Sequence, residues 1–110
     1  MVKSSSPFGG QARTGVLQAL RLLEESYPRE LARLLGIPVS GVQGALRGLE
    51  RDGLVAGRLT GRTRLVRLNP RYFALKELQQ YLLVLGGANR QLQNSVNALR
   101  RRPRASGKPL

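Results

Sequence analysis

A mainly α domain with a small β-hairpin (α+β) is the fold class this sequence predicts, on three observations. Apolar residues recur at helical spacing in three successive segments before Gly53. Two short stretches rich in Leu, Val and Thr follow, Leu54 to Leu59 and Thr63 to Leu68, separated by a Thr60-Gly61-Arg62 turn. A last helical pattern then runs to Leu99.

Met1 to Gly10 is rich in Ser, Pro and Gly, and residues 1–11 are expected to form a flexible arm. The Thr14 hydroxyl is placed to cap a helix that reaches about Ser26, with Val16, Leu17, Leu20 and Leu23 facing a core. Tyr27-Pro28 ends it, because the residue before proline avoids the α region. Pro28 suits the first turn of a second helix, which buries Leu31, Ala32 and Leu35 and leaves Arg29 and Arg33 outside. Gly36 is the expected stop, being able to take a left-handed conformation.

Pro38 to Asp52 reads as a third helix with two unlike faces. At about 100° per residue, Val42, Ala45, Leu46 and Leu49 share one side, while Ser40, Gln43, Arg47 and Arg51 centre on the other. Gly41, Gly44 and Gly48 cluster on one flank, although each costs a helix interior about 1 kcal/mol relative to alanine. Either that flank admits close approach by a neighbouring helix or a phosphate, or the glycines are simply tolerated there.

The hairpin carries Arg58, Arg62, Arg64 and Arg67, a density of charge that repels itself unless anions meet it. Of these four, Arg67 is the one that strand alternation can turn toward the body. Asn69-Pro70 breaks the second strand, and a helix is expected from about Arg71 to Leu85. Leu75, Leu78, Leu82, Leu85, Asn89, Leu92, Val96 and Leu99 then fall at alternating steps of three and four. Such a seam predicts a dimerisation helix over 71–99, with Asn89 fixing register and Gly86-Gly87 as break or hinge. The alternative is a helix packed on its own domain. Residues 100–110 complete the chain as a basic, disordered tail.

The net charge of +13 is unevenly placed. Between Ala12 and Gly53 six arginines (13, 21, 29, 33, 47, 51) face five acids (24, 25, 30, 50, 52). From Leu54 to Lys76 there are six basic residues and no acid, and the same holds from Ala88 to Leu110. The excess points to a polyanionic partner, nucleic acid before membrane. With no Cys and no His, disulfides, thiolates, imidazole bases and the commonest soft-metal ligands are all excluded. No metal and no cofactor is expected, and the six scattered carboxylates suggest no catalytic pair. The apolar run Tyr81 to Leu85 is far too short to span a bilayer, so no membrane partner and a cytoplasmic, nucleoid-associated location are expected.

ELARLLG, then SGVQGALRGLERDGLV, then GRTRLVRLNP together resemble the ArsR-like branch of bacterial and archaeal winged-helix transcriptional regulators. The resemblance covers about Ala12 to Leu85 and implies a winged helix-turn-helix DNA-binding domain over 12–70. It implies that Glu30 to Leu35 is the supporting helix and Pro38 to Asp52 the recognition helix. Ser40, Gln43 and Arg47 fall where such proteins contact base edges and nearby phosphates, and Arg62 and Arg64 where the wing meets the DNA backbone. Arg51 and Arg58 join these two as phosphate-binding candidates. Two departures stand out: Pro38 replaces a capping Ser or Thr, and the Cys and His of metal-sensing members are missing.

The expected function is that of a homodimeric regulator bound to double-stranded DNA. The third helix would choose the sequence, and the wing and tail would add affinity. Two further readings use the same fold, a nonspecific architectural DNA binder and a protein interaction module. RNA is disfavoured by only five aromatic side chains for base stacking.

Overall fold

A computed structural model describes residues 8–86 and 90–101. The chain runs through α1 (Gln11–Leu23), α2 (Pro28–Leu35), α3 (Val39–Arg51), β1 (Val55–Thr60), β2 (Thr63–Leu68), α4 (Leu75–Gly86) and α5 (Arg90–Arg101). The α+β class expected from the pattern of elements is the observed one.

Helix α1 begins one turn earlier than its composition suggests. Gly10 precedes its first residue, and the Thr14 hydroxyl donates back to the Gly10 carbonyl at 3.1 Å instead of capping the helix. The helix also stops short of Ser26, whose backbone is taken by the hairpin: Ser26 N–H donates to Val66 O at 3.0 Å and Val66 N–H to Ser26 O at 2.8 Å. Reaching that pairing requires a reversal at Glu24, whose φ of 74° and ψ of −42° are strained for a side chain with a Cβ. Glu24→Gly should therefore raise stability by about 1 kcal/mol, which thermal denaturation would read as a melting temperature higher by about 4–8 °C. An unchanged or lower melting temperature would show that the turn is unstrained.

Tyr27 is extended, Pro28 opens α2, and Gly36 closes it at φ 69° with its N–H on Ala32 O. Both proline and glycine act here as the sequence suggests. Glu30 is buried and accepts a 2.6 Å hydrogen bond from Ser26 Oγ, which ties the start of α2 to the segment that pairs with β2.

One apolar cluster joins the elements. Val16, Leu17, Ala19 and Leu20 of α1 meet Leu31, Val42, Leu46 and Leu49, together with Val55, Val66 and Leu68 of the hairpin and Leu78 and Leu82 of α4. The two strands pair antiparallel from Val55↔Leu68 to Thr60↔Thr63, leaving Gly61-Arg62 as a two-residue turn. Gly61 has φ 63° while Arg62 has no positive φ, the glycine-first pattern of a type II′ hairpin.

The C-terminal third departs most from expectation. Helix α4 starts at Leu75, not near Arg71, because Asn69 organises a turn of its own. Its Oδ1 accepts from Arg71 N–H and its Nδ2 donates to Gly53 O, both at 2.9 Å. After α4 ends at Gly86, α5 begins at Arg90 and packs on α1 and α2 of the same chain. The seam is consequently spent inside the protomer: Leu78, Leu82, Leu92 and Val96 are buried, and Leu75, Leu85 and Leu99 half-buried. Asn89 lies outside the described residues, as do residues 1–7 and 102–110. At the other end, Phe8 leaves the expected arm, packs against the core and sets its ring 5.9 Å from that of Tyr81.

Candidate nucleic-acid interface

The two faces of α3 are separated as its periodicity requires. Val42, Ala45, Leu46 and Leu49 are buried, and Ser40, Gln43, Arg47 and Arg51 are exposed. Pro38 precedes the helix without a side-chain cap, so its first turn is held by backbone alone, with Gly41 and Val42 donating to Pro38 O. Arg51 reaches Asp52 at 3.5 Å, whereas Ser40, Gln43 and Arg47 make no hydrogen bond or ion pair among the described residues. Three polar side chains are thus free to meet an external partner.

The glycine flank of α3 has a different neighbour from either one expected. Arg13 of α1 lies across Gly48, where a Cβ would overlap its guanidinium, and continues to Asp52 at 3.6 Å and Phe8 O at 3.4 Å. Gly48 accommodates a side chain, not a helix backbone. Gly41 and Gly44 have no comparable close neighbour.

Beside α3, the wing does not present all its arginines. Val66 and Leu68 are buried, and Arg64, two residues before Val66, shares their side of β2; its guanidinium pairs with Glu50 of α3. Gly57 makes room for this pair, since a Cβ there would stand 3.0 Å from Glu50 Oε2. Arg67, the arginine that alternation was expected to turn inward, is exposed, and Arg64 has the inward place. The parity of positions 64, 66 and 68 carried that signal. Arg58, on the other side of the hairpin, pairs with Glu25 at 3.0 Å and donates to Thr60 Oγ1 at 2.8 Å. Arg62, at the tip, is exposed and has no partner among the described residues.

Of the four phosphate-binding candidates, Arg62 therefore offers a free charge, Arg51 sits loosely beside Asp52, and Arg58 and Arg64 are opposed by carboxylates. Exposed pairs of this kind contribute about 0–1 kcal/mol, so a phosphate could displace Glu25 from Arg58. The half-buried Glu50–Arg64 pair instead fixes the wing against α3. Sequence reasoning missed Glu50, Gly57 and Arg13, which act through partners distant in the chain. Among the described residues, no group of three or more His, Cys, Asp or Glu side chains gathers in one place, and no helix is long and apolar enough to cross a membrane.

No protein-family model and no curated protein sequence matches the chain. Solved structures do. The transcriptional regulator HlyU from Vibrio vulnificus is 25% identical, with a TM-score of 0.61 over 73% of this chain and 77% of its own. A mutant form of ZitR from Lactococcus lactis is 19% identical, with a TM-score of 0.61 over 89% and 68%. A MarR-family transcriptional regulator from Silicibacter pomeroyi is 22% identical, with a TM-score of 0.53 over 84% of this chain and 59% of its own. HlyU and the Silicibacter pomeroyi protein are transcriptional regulators, and the fold of the chain, five helices with a two-stranded wing after the third among the described residues, is the winged helix-turn-helix of such regulators.

Proposed function

We propose that the protein is a homodimeric, sequence-specific DNA-binding transcriptional regulator that reads the major groove with α3. The observation that carries this reading is the separation of faces on that helix: one side is core, and the other presents Ser40, Gln43 and Arg47 without partners among the described residues. Gln reads adenine and Arg reads guanine through paired hydrogen bonds. Arg62 supplies the wing's phosphate contact, Arg51 and Arg58 add to it, and Arg64 holds the wing in place through Glu50. The motif runs ELARLLG and SGVQGALRGLERDGLV support the ArsR-like branch, and the structural neighbours support winged-helix regulators more broadly. Neither metal nor cofactor is needed.

Selection of bound fragments from random and genomic DNA tests the reading. A two-fold related consensus with half-site centres about 10–10.5 base pairs apart is expected. Recovery of all fragments alike would replace it with the architectural reading, which the charge of +13 otherwise favours.

A dimer needs an apolar surface other than the Leu75 to Leu99 seam. Phe73 (92% exposed) stands out from the turn before α4, and Val84 (68%) and Leu83 from the helix itself; a second copy of this chain covers them in this reading. Val84→Glu would bury an unpaired charge at that contact. Sedimentation should show self-association weakened at least tenfold, with the protomer's melting temperature little changed. A variant that dimerises like the wild type would move the interface elsewhere.

A further inference from the structure

Arg13 is a cation that the interface above does not use, and its side chain is only 26% exposed. From α1 its guanidinium lies across the buried Gly48 of α3, where an added Cβ would overlap it. Its Nη1 approaches Asp52 Oδ2 at 3.6 Å and donates to Phe8 O at 3.4 Å, and a Cβ on Gly9 would stand 3.2 Å from the same atom. Phe8 in turn packs on the core and against Tyr81 of α4. One side chain therefore joins the segment before α1 to the last turn of α3.

Its place around α3 gives that link a use. Gly48 and Glu50 are two residues apart, so at about 100° per residue they face opposite flanks of the helix. Arg64 of the wing holds the Glu50 flank and Arg13 the Gly48 flank, with the strip of Ser40, Gln43 and Arg47 between them. Burial of Val42, Leu46 and Leu49 decides which side of α3 faces inward, but the hydrophobic effect is non-directional and sets the angle about the axis less sharply than directed contacts do. A turn of about 10° carries a side-chain atom about 5–6 Å from the axis through about 1 Å. Hydrogen bonds form over a window of only about 0.5 Å. Reading bases needs the angle held more tightly than that.

We propose that Arg13 is a positioning residue for sequence reading: opposite the Glu50–Arg64 pair, it fixes the rotation of α3 at which Gln43 and Arg47 meet base edges. The bare flank at Gly48 admits it, and residues 8–10 belong to the reading head. The inference rests on the DNA-binding reading and adds to it a residue that touches neither base nor phosphate.

The test uses the full chain with one duplex from the fragment selection and one of random sequence, and reads the ratio of the two affinities. R13A should lower that ratio about tenfold, within the roughly five- to hundredfold worth of a paired base contact. Its affinity for the random duplex and its slope of log affinity against log salt should stay those of the wild type, because no phosphate contact is lost. G48A, which evicts the guanidinium, should lower the ratio to the same extent, and R13A/G48A no further, since both changes remove one contact. Melting temperatures check the geometry apart from DNA. Alanine suits a helix interior better than glycine, so G48A should raise the melting temperature of R13A by about 4–8 °C and that of the wild type by less. A wild-type ratio in R13A or in G48A would overturn the inference. Equal loss on both duplexes with a shallower slope would overturn it too, by making Arg13 a phosphate contact, and equal gains in melting temperature in the two backgrounds would remove the contact with Gly48 on which it stands. A wild type that binds both duplexes alike, or neither, would overturn the sequence-specific reading beneath it.

Discussion

Arg47→Ala should weaken binding to the selected duplex by about 1–3 kcal/mol, between five- and more than a hundredfold, and relax sequence choice at one base position. Its melting temperature should not move, because the side chain is exposed and makes no ion pair or hydrogen bond among the described residues. The contrast is Arg62→Ala at the wing tip. That change should weaken specific and random duplexes by the same factor and lower the salt slope by about one. Titrating both variants on both duplexes separates choosing a sequence from adding affinity. Equal losses on the two duplexes for both variants would remove this division of roles.

One residue away, Leu46→Ala should have a large effect of the opposite kind. Leu46 is 0% exposed and faces the cluster in which α1, α2, the hairpin and α4 meet. Removing its three outer carbons loses transfer free energy and leaves a cavity, together about 2–5 kcal/mol. For a domain of this size that corresponds to a melting temperature lower by roughly 10–30 °C, a large part of the 5–15 kcal/mol that keeps such folds together. The folded fraction should still prefer the same DNA sequence. A loss below about 1 kcal/mol in urea or thermal denaturation would mean that α3 is not anchored through this position.

Adjacent residues with separable effects follow from helical geometry, and such local geometry is what the sequence makes legible. The two faces of α3, the proline start and glycine stop of α2, and the Gly61 turn are set by residues within a few positions of one another. Their spacing alone identifies them. Errors at element ends have a different origin. Ser26 has its backbone claimed by Val66, forty residues away, and Asn69 bonds back to Gly53; neither constraint leaves a trace in local propensity.

The charge of the wing divides along the same line. Four arginines in or beside two strands announce a basic hairpin, but alternation was assigned to the wrong one: Arg64, not Arg67, shares the buried side of Val66 and Leu68. That Arg64 then finds Glu50, with Gly57 leaving room for the pair, depends on how the hairpin packs on α3. The free charge of the surface is thus smaller than the charge of the sequence, and part of it lies on α2.

By itself the sequence determined the order of helices and strands, the polar strip of α3 and a strongly basic surface. Only the tertiary structure decided what covers the Leu75 to Leu99 seam and which arginines remain free. Steps of three and four require that a stripe be buried, and they are identical whether the partner is a second chain or the same one. With α5 beginning at Arg90, α1 and α2 supply that partner within the protomer. Burial of apolar area has no direction along the chain, so the surface that fills a stripe is chosen by long-range packing and not by the stripe.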